Sequence, residues 1–202
     1  MSDFHQNGVI STLHNLSNRS LDEIEQELRQ YSKEAPIELI LPSLYSELEG
    51  AALKNIVSCL SDVKYLNHIT IGLDKANKSE FIKAKKFFSD LNQSHSVLWN
   101  DSPKMKQLDS DFEKLGIAPN QPGKGKNVWY CMGYTYSRNE AGSVALHDCD
   151  ITTYNRELLA RLVYPVSNPH FNYEFCKGYY PRIREGALSG RVTRLLVTPL
   201  LK

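Results

Sequence analysis

The sequence predicts an α/β protein built on a mainly parallel sheet. Short apolar runs of strand length recur along the chain: IELILP at 37–42, YLNHITIGL at 65–73, HSVLWN at 95–100 and SVALHD at 143–148. Between them lie segments whose apolar residues return with helical spacing. Strands that alternate with helices imply βαβ units, in which crossovers join parallel strands. The 202 residues, 41% hydrophobic and 23% charged, also supply enough apolar side chains for a sizeable core.

The elements follow in order. Residues 1–18 are polar and read as an arm. Ser20 then stands as an N-cap before LDEIEQELRQYSK, where Leu21, Ile24 and Leu28 give helical spacing and acids crowd the first turn. Pro36 stops that helix. IELILP reads as a buried strand, and a helix is predicted from Glu47 to Leu60. After the second strand, SEFIKAKKFFSDL at 79–91 is a helix whose Lys83, Lys85 and Lys86 form a solvated outer face. A helix around 104–115, ended by Gly116, follows the third strand. The loop IAPNQPGKGK leads into a helix from 125 to about 137, with Tyr130, Tyr134 and Tyr136 as packing residues. After SVALHD, NRELLARLVYP at 155–165 is a helix stopped by Pro165. FNYEFCKGYYPRI at 171–183 reads as a strand, and a helix-like run opens at SGRVTR, 189–194.

Composition excludes several classes. A formal net charge of +1 gives neither the basic excess of a nucleic-acid binder nor the acidic excess that would draw a cationic partner. No apolar run is long enough to span a bilayer, and MSDFHQNGVIST lacks the order of a signal peptide. Cys59, Cys131, Cys149 and Cys176 are widely spaced without a CxxC, which indicates neither a disulfide framework nor a zinc site. Cytoplasm is the expected compartment.

In parallel α/β sheets, ligands bind outside the carboxyl ends of the strands. That rule marks LPSLYSE after the first strand, GLDKAN after the second, the PGKGK loop and HDCDI after the fourth, and three motifs along the chain carry candidate chemistry. Asp148 and Asp150, after SVALH, can offer oxygen ligands to a hard divalent cation. Alone, D-x-D fits a solvated Asx turn equally well. Cys149 between them is expected to point away from the acids, and His147 to be structural. PGKGK at 122–126 combines glycines, which let backbone amides approach an anion, with Lys124. It is no Walker A loop, because Gly125 follows the lysine, and alone it reads as a turn. In SGRVTR, Arg191 can fork onto a carboxylate or phosphate and Thr193 adds a hydroxyl, although ordinary capping explains the motif as readily. No Ser-His-Asp or Cys-His set can be assembled, so no catalytic side chain is assigned.

The order LPSL, PGKG, ALHDCDI and SGRVTRLLVTPLL resembles the retaining nucleotide-sugar glycosyltransferases of GT-A fold that include glucosyl-3-phosphoglycerate synthase. The resemblance spans most of 36–202. It implies a GT-A, Rossmann-like sheet flanked by helices, with an arm and helix at 1–35 before it. It also implies metal-dependent transfer of glucose from UDP-glucose to 3-phosphoglycerate with retention, using Mg²⁺ or Mn²⁺. Carried over by position, Pro42, Ser43 and Leu44 line the uridine pocket, Lys124 contacts the donor, Asp148 lies near the ribose and Asp150 binds the metal. Gly190, Arg191 and Thr193 hold the acceptor's phosphate. Two departures stand out. The acid after the first-strand proline falls at Glu47, behind Ser46, and GLDKANK replaces a serine-rich turn, so that Asp74 substitutes on the donor. Alternatives are glucosyl or mannosyl transfer to free glycerate, the latter from a GDP-linked donor, and a non-catalytic nucleotide-binding module. The family also carries a second portion, so the chain reads as the donor-binding half of a longer enzyme or a truncated product, and a homo-oligomer is open.

Overall fold

The computed structural model describes residues 19–117, 119 and 121–178, and the backbone of 182–184 and 187–189. The arm at 1–18 and the acceptor candidates Gly190, Arg191 and Thr193 lie outside the described residues. Backbone proximity groups Ser20–Cys176 as one unit, and Met1–Arg19 with Lys177–Lys202 as another.

The larger unit holds four parallel strands: β1 (Ile37–Leu44), β2 (Leu66–Asp74), β3 (Ser94–Trp99) and β4 (Ser143–Leu146), ordered β3-β2-β1-β4. Chain order reverses direction between β1 and β4, which makes their carboxyl ends the switch point of the sheet. The helices are α1 (Leu21–Glu34), α2 (Ala51–Ser61), α3 (Lys78–Phe88), α4 (Pro103–Lys114), α5 (Lys124–Arg138) and α6 (Arg156–Ser167). Several starts follow from their caps. Ser20 and Glu23 form a capping box on α1, Asn77 and Glu80 one on α3, and the Ser102 hydroxyl accepts from the Met105 amide on α4. Gly116, at φ +69°, lies just past α4 and takes the left-handed conformation that a glycine there allows. Among the described residues no helix is long and apolar enough to cross a membrane.

The two faces of the sheet differ. Leu39, Leu41, Ile69, Ile71 and Leu73 belong to one buried cluster with Leu28 of α1, Leu53, Ile56 and Leu60 of α2, Phe88 of α3, and Leu159 and Val163 of α6. The alternate positions Glu38, Thr70, Gly72 and Ser96 meet α5 instead, and through polar groups, with His68 joined to them through Ser96. Arg138 pairs with buried Glu38 at 3.6 Å, Thr135 lies 3.5 Å from Thr70, and Tyr134 is 2.9 Å from Ser96, which in turn contacts His68 at 3.1 Å. Burial raises the Glu38 carboxyl above its ordinary pKa, and Arg138 holds it back. Outside α5, α4 adds an Asp109 carboxylate that takes 2.5 Å bonds from Lys126 and Tyr130, and Phe112 edges onto Trp129.

The fourth strand is shorter than SVALHD suggests: it stops at Leu146. The cause lies in its neighbour. Ile40 pairs with Leu146, and its carbonyl accepts from the His147 amide at 3.1 Å, so Ile40 points its backbone toward β4. Two residues on, position 42 points the same way, and the next ladder bond would need its N–H. That residue is Pro42, which has none, so the ladder ends and the chain turns.

Other expectations also shift. The helix predicted from Glu47 to Leu60 divides into a 3-10 turn, Tyr45–Glu49, and α2, because Gly50 breaks off at ψ 153°. Pro165 does not stop α6, which runs to Ser167. In the last turn its missing N–H forfeits a single bond, and the Asn168 amide still reaches the Tyr164 carbonyl at 3.0 Å. Residues 171–178 form bends rather than a strand. Phe171 packs edge-on against Tyr164 and Tyr173 while Phe175 is exposed, so these aromatics stack on one another and line no ladder. In the smaller unit the described backbone is an antiparallel pair, β5 (Arg182–Arg184) with β6 (Ala187–Ser189). Ser189, read as the start of a helix-like run, closes that strand.

Candidate functional site

The carboxyl ends of β1 and β2, the start of α5 and the turn after β4 converge. β1 and β2 pair in register, which sets Pro42 beside Gly72, Ser43 beside Leu73 and Leu44 beside Asp74. Ser43 is buried, and its hydroxyl donates to the Leu44 carbonyl and to Glu47 Oε2. Glu47 Oε2 also accepts from the Leu44 amide at 2.8 Å. The displaced acid of LPSLYSE therefore braces the end of β1.

Asp74 is partly buried at the end of β2. Burial raises its pKa, while the Asn100 and Asn127 side chains favour the ionised form, Asn100 Nδ2 lying 2.7 Å from its Oδ1. Asn127 is buried one turn into α5 and donates to the Gly72 carbonyl at 2.9 Å. A Cβ on Gly72 would lie 1.8 Å from Asn127 Oδ1, so only glycine lets this amide reach the strand. Asn100, Asn127 and Gly72 were not singled out in the sequence, and Glu47 was noted there only as a displaced acid. Only their position after a strand or in a helix start marks them, and that signal is shared by many residues.

Lys124 opens α5 behind Gly123, whose φ of 129° is open to glycine alone, and it forms an ion pair with Asp148. Both partners are about half exposed, with side-chain exposures of 53% and 49%. In the turn after β4, exposure alternates. His147 and Cys149 are buried, whereas Asp148 and Asp150 face outward, as the reading of Cys149 anticipates. Burial pushes the Cys149 thiol up, and Cys149 belongs to the buried cluster that holds Leu39 and Leu41, so the spacer between the acids is rooted against β1. His147 bonds through its side chain to Tyr154, and burial lowers its pKa to about 4.

The structure thus brings Ser43, Leu44, Asp74, Lys124, Asp148 and Asp150 to one edge of the sheet. Its donor chemistry suits a hard cation: two carboxylates on one turn, one of them, Asp150, exposed and without a polar partner among the described residues. Among the described residues no third His, Cys, Asp or Glu joins them. A cation there would complete its shell with ligand oxygens and water.

No protein-family model matches the chain. It is 49% identical over 202 residues to a glucosyl-3-phosphoglycerate synthase of Persephonella marina, covering 100% of this chain and 50% of that protein. A glucosyl-3-phosphoglycerate synthase of Methanococcoides burtonii is 36% identical, over 98% of this chain and 49% of its own length. The chain spans about half the length of these curated relatives. Glucosyl-3-phosphoglycerate synthase from Mycobacterium tuberculosis, solved with Mn²⁺, UDP and glucosyl-3-phosphoglycerate, matches with a TM-score of 0.54 at 19% identity, over 94% of this chain and 56% of that one. Its complex with phosphoglyceric acid gives 0.52 at 18% identity, over the same 94% and 56%. At this identity the match speaks for the fold. The chain is a GT-A α/β unit, similar along its whole length to glucosyl-3-phosphoglycerate synthases and matching half of theirs.

Proposed function

We propose that this edge is the donor subsite of a metal-assisted transfer of glucose from UDP-glucose to 3-phosphoglycerate, with retention at the anomeric carbon. The Lys124–Asp148 ion pair at the switch point, with Asp150 exposed on the same turn, carries the reading. The leaving group is a nucleoside diphosphate, and its negative charge grows as the glycosidic bond breaks. A divalent cation, Mg²⁺ or Mn²⁺, held by Asp150 would offset that charge. Lys124 adds a second positive group. Its exposed pair with Asp148 is worth at most about 1 kcal/mol, so little is lost when a diphosphate competes for the ammonium. Pro42, Ser43 and Leu44 form the floor for the uridine, with Asp74 beside them as an acceptor for a hydroxyl or N–H. In this reading Gly190, Arg191 and Thr193 bind the acceptor phosphate.

Titration with UDP, with and without Mn²⁺, tests the proposal. Wild type is expected to bind UDP more tightly with Mn²⁺. Asp150→Ala should lose that enhancement and keep metal-free binding, whereas Lys124→Ala should weaken both. Undiminished enhancement by Mn²⁺ in Asp150→Ala would remove the metal assignment.

A further inference from the structure

The turn that carries the two acids is closed by a pair of buried side chains. His147 stands before Asp148 and Tyr154 comes four residues after Asp150. The His147 Nδ1 and the Tyr154 hydroxyl are hydrogen-bond partners at 3.1 Å, and the rings meet edge to face with centroids 5.3 Å apart. The two residues are only 4% and 3% exposed. Each end of the pair is also anchored to the scaffold. The His147 amide donates to the Ile40 carbonyl on β1, and Asn55 of α2 donates its side-chain amide to the Tyr154 carbonyl at 3.0 Å. Cys149 is sunk between them. The ends of the turn are tied and its middle is rooted, while Asp148 and Asp150 face outward, as do Thr152 and Thr153 further along.

We propose that His147 and Tyr154 act as a clasp that holds the turn of Asp148 and Asp150, so that Asp150 is positioned for a divalent cation while Asp148 stays beside Lys124. The inference rests on the donor-subsite reading above. A cation accepts carboxylate oxygens only within a narrow range of positions. A loop with free ends would have to be ordered when the metal binds; the clasp completes that ordering during folding. Neither clasp residue touches the cation. They act as an outer support for its ligands, the kind of support whose loss typically costs 10–100-fold in metal affinity.

The test uses the 202-residue chain and three readouts: Mn²⁺ affinity at saturating UDP, metal-free UDP affinity and thermal midpoint. Tyr154→Phe keeps the ring and removes only the hydroxyl. It should weaken Mn²⁺ binding about tenfold and leave metal-free UDP affinity within about twofold. His147→Phe should do the same, and the double variant should be no weaker than either single change, because both remove one interaction. His147→Gln, which can still bond the hydroxyl, should recover part of the loss. If His147→Phe fails to fold, Tyr154→Phe decides alone. Wild-type Mn²⁺ affinity in Tyr154→Phe, with Asp150→Ala still defective, overturns the clasp and leaves the donor subsite standing. Equal weakening of Mn²⁺ and metal-free UDP binding also overturns it, since that is the mark of a general structural role. Undisturbed Mn²⁺ binding in Asp150→Ala removes the subsite reading and the clasp with it.

Discussion

Pro42 decides where a strand ends. It withholds the N–H that would continue the β1–β4 ladder, so the chain leaves the sheet one residue before Asp148. Pro42→Val restores the donor. We expect β4 to lengthen, the new residue 42 amide to be protected from hydrogen exchange, and Mn²⁺-dependent UDP binding to fall roughly tenfold as Asp148 is drawn into the ladder. An unprotected amide would show that the strand ends for another reason. Gly72 makes a second decision. A methyl group there collides with Asn127 Oδ1 at 1.8 Å and Cys131 Sγ at 2.5 Å. Gly72→Ala should cost about 1–3 kcal/mol in chemical denaturation. Adding Asn127→Ala makes room, so the double variant should be less destabilised than the sum of the singles. The alternation of HDCD was legible in the sequence, because strand periodicity alone sends Cys149 inward and the acids outward. Pro42 as a terminator was not, since its effect depends on which neighbour its backbone faces, and that is fixed only by the register.

At the scale of elements, the helices were legible where caps and spacing agreed: α1 behind Ser20 and α4 before Gly116. Elements were misread where one residue type was given a fixed meaning. Pro165 sits in a last turn that tolerates it, and the aromatics of 171–178 find one another instead of a strand. The contact between α5 and the sheet was also illegible, because nothing in YLNHITIGL says that its polar residues are buried together. That contact makes a pH prediction. Burial lowers the His68 pKa from 6.5 to about 4, and both ring nitrogens already face serine hydroxyls. A depressed folded-state pKa gives stability that is present above pH 6.5 and is lost as pH falls toward 4. Buried Glu38, with its raised pKa, changes in the opposite sense, so the comparison must isolate the histidine. Over that range, wild type should lose denaturant stability relative to His68→Asn. Parallel curves would mean that the ring is protonated as easily in the folded chain as in the unfolded one.

At the scale of the whole molecule, every described residue proposed for the donor site lies within Ser20–Cys176. A polypeptide of residues 20–176 should therefore fold, with circular dichroism typical of an α/β chain, and keep Mn²⁺-dependent UDP binding. Loss of that binding in a folded 20–176 chain would place part of the donor site outside this unit. The parallel sheet, and with it the carboxyl edge where ligands bind, was legible from the alternation of strands and helices alone, since topology rules leave few ways to connect them. The strand order and the unequal faces were not. Those faces also set different rules of replacement. On the side of α1, α2, α3 and α6, aliphatic residues can be exchanged among shapes of similar volume at small cost. On the side of α5, each substitution strands a partner that has already given up water. A saturation library should accordingly tolerate many residues at Leu39, Ile69 or Ile71 and few at Glu38, His68 or Asn127, so one sheet would drift through sequence space at two speeds.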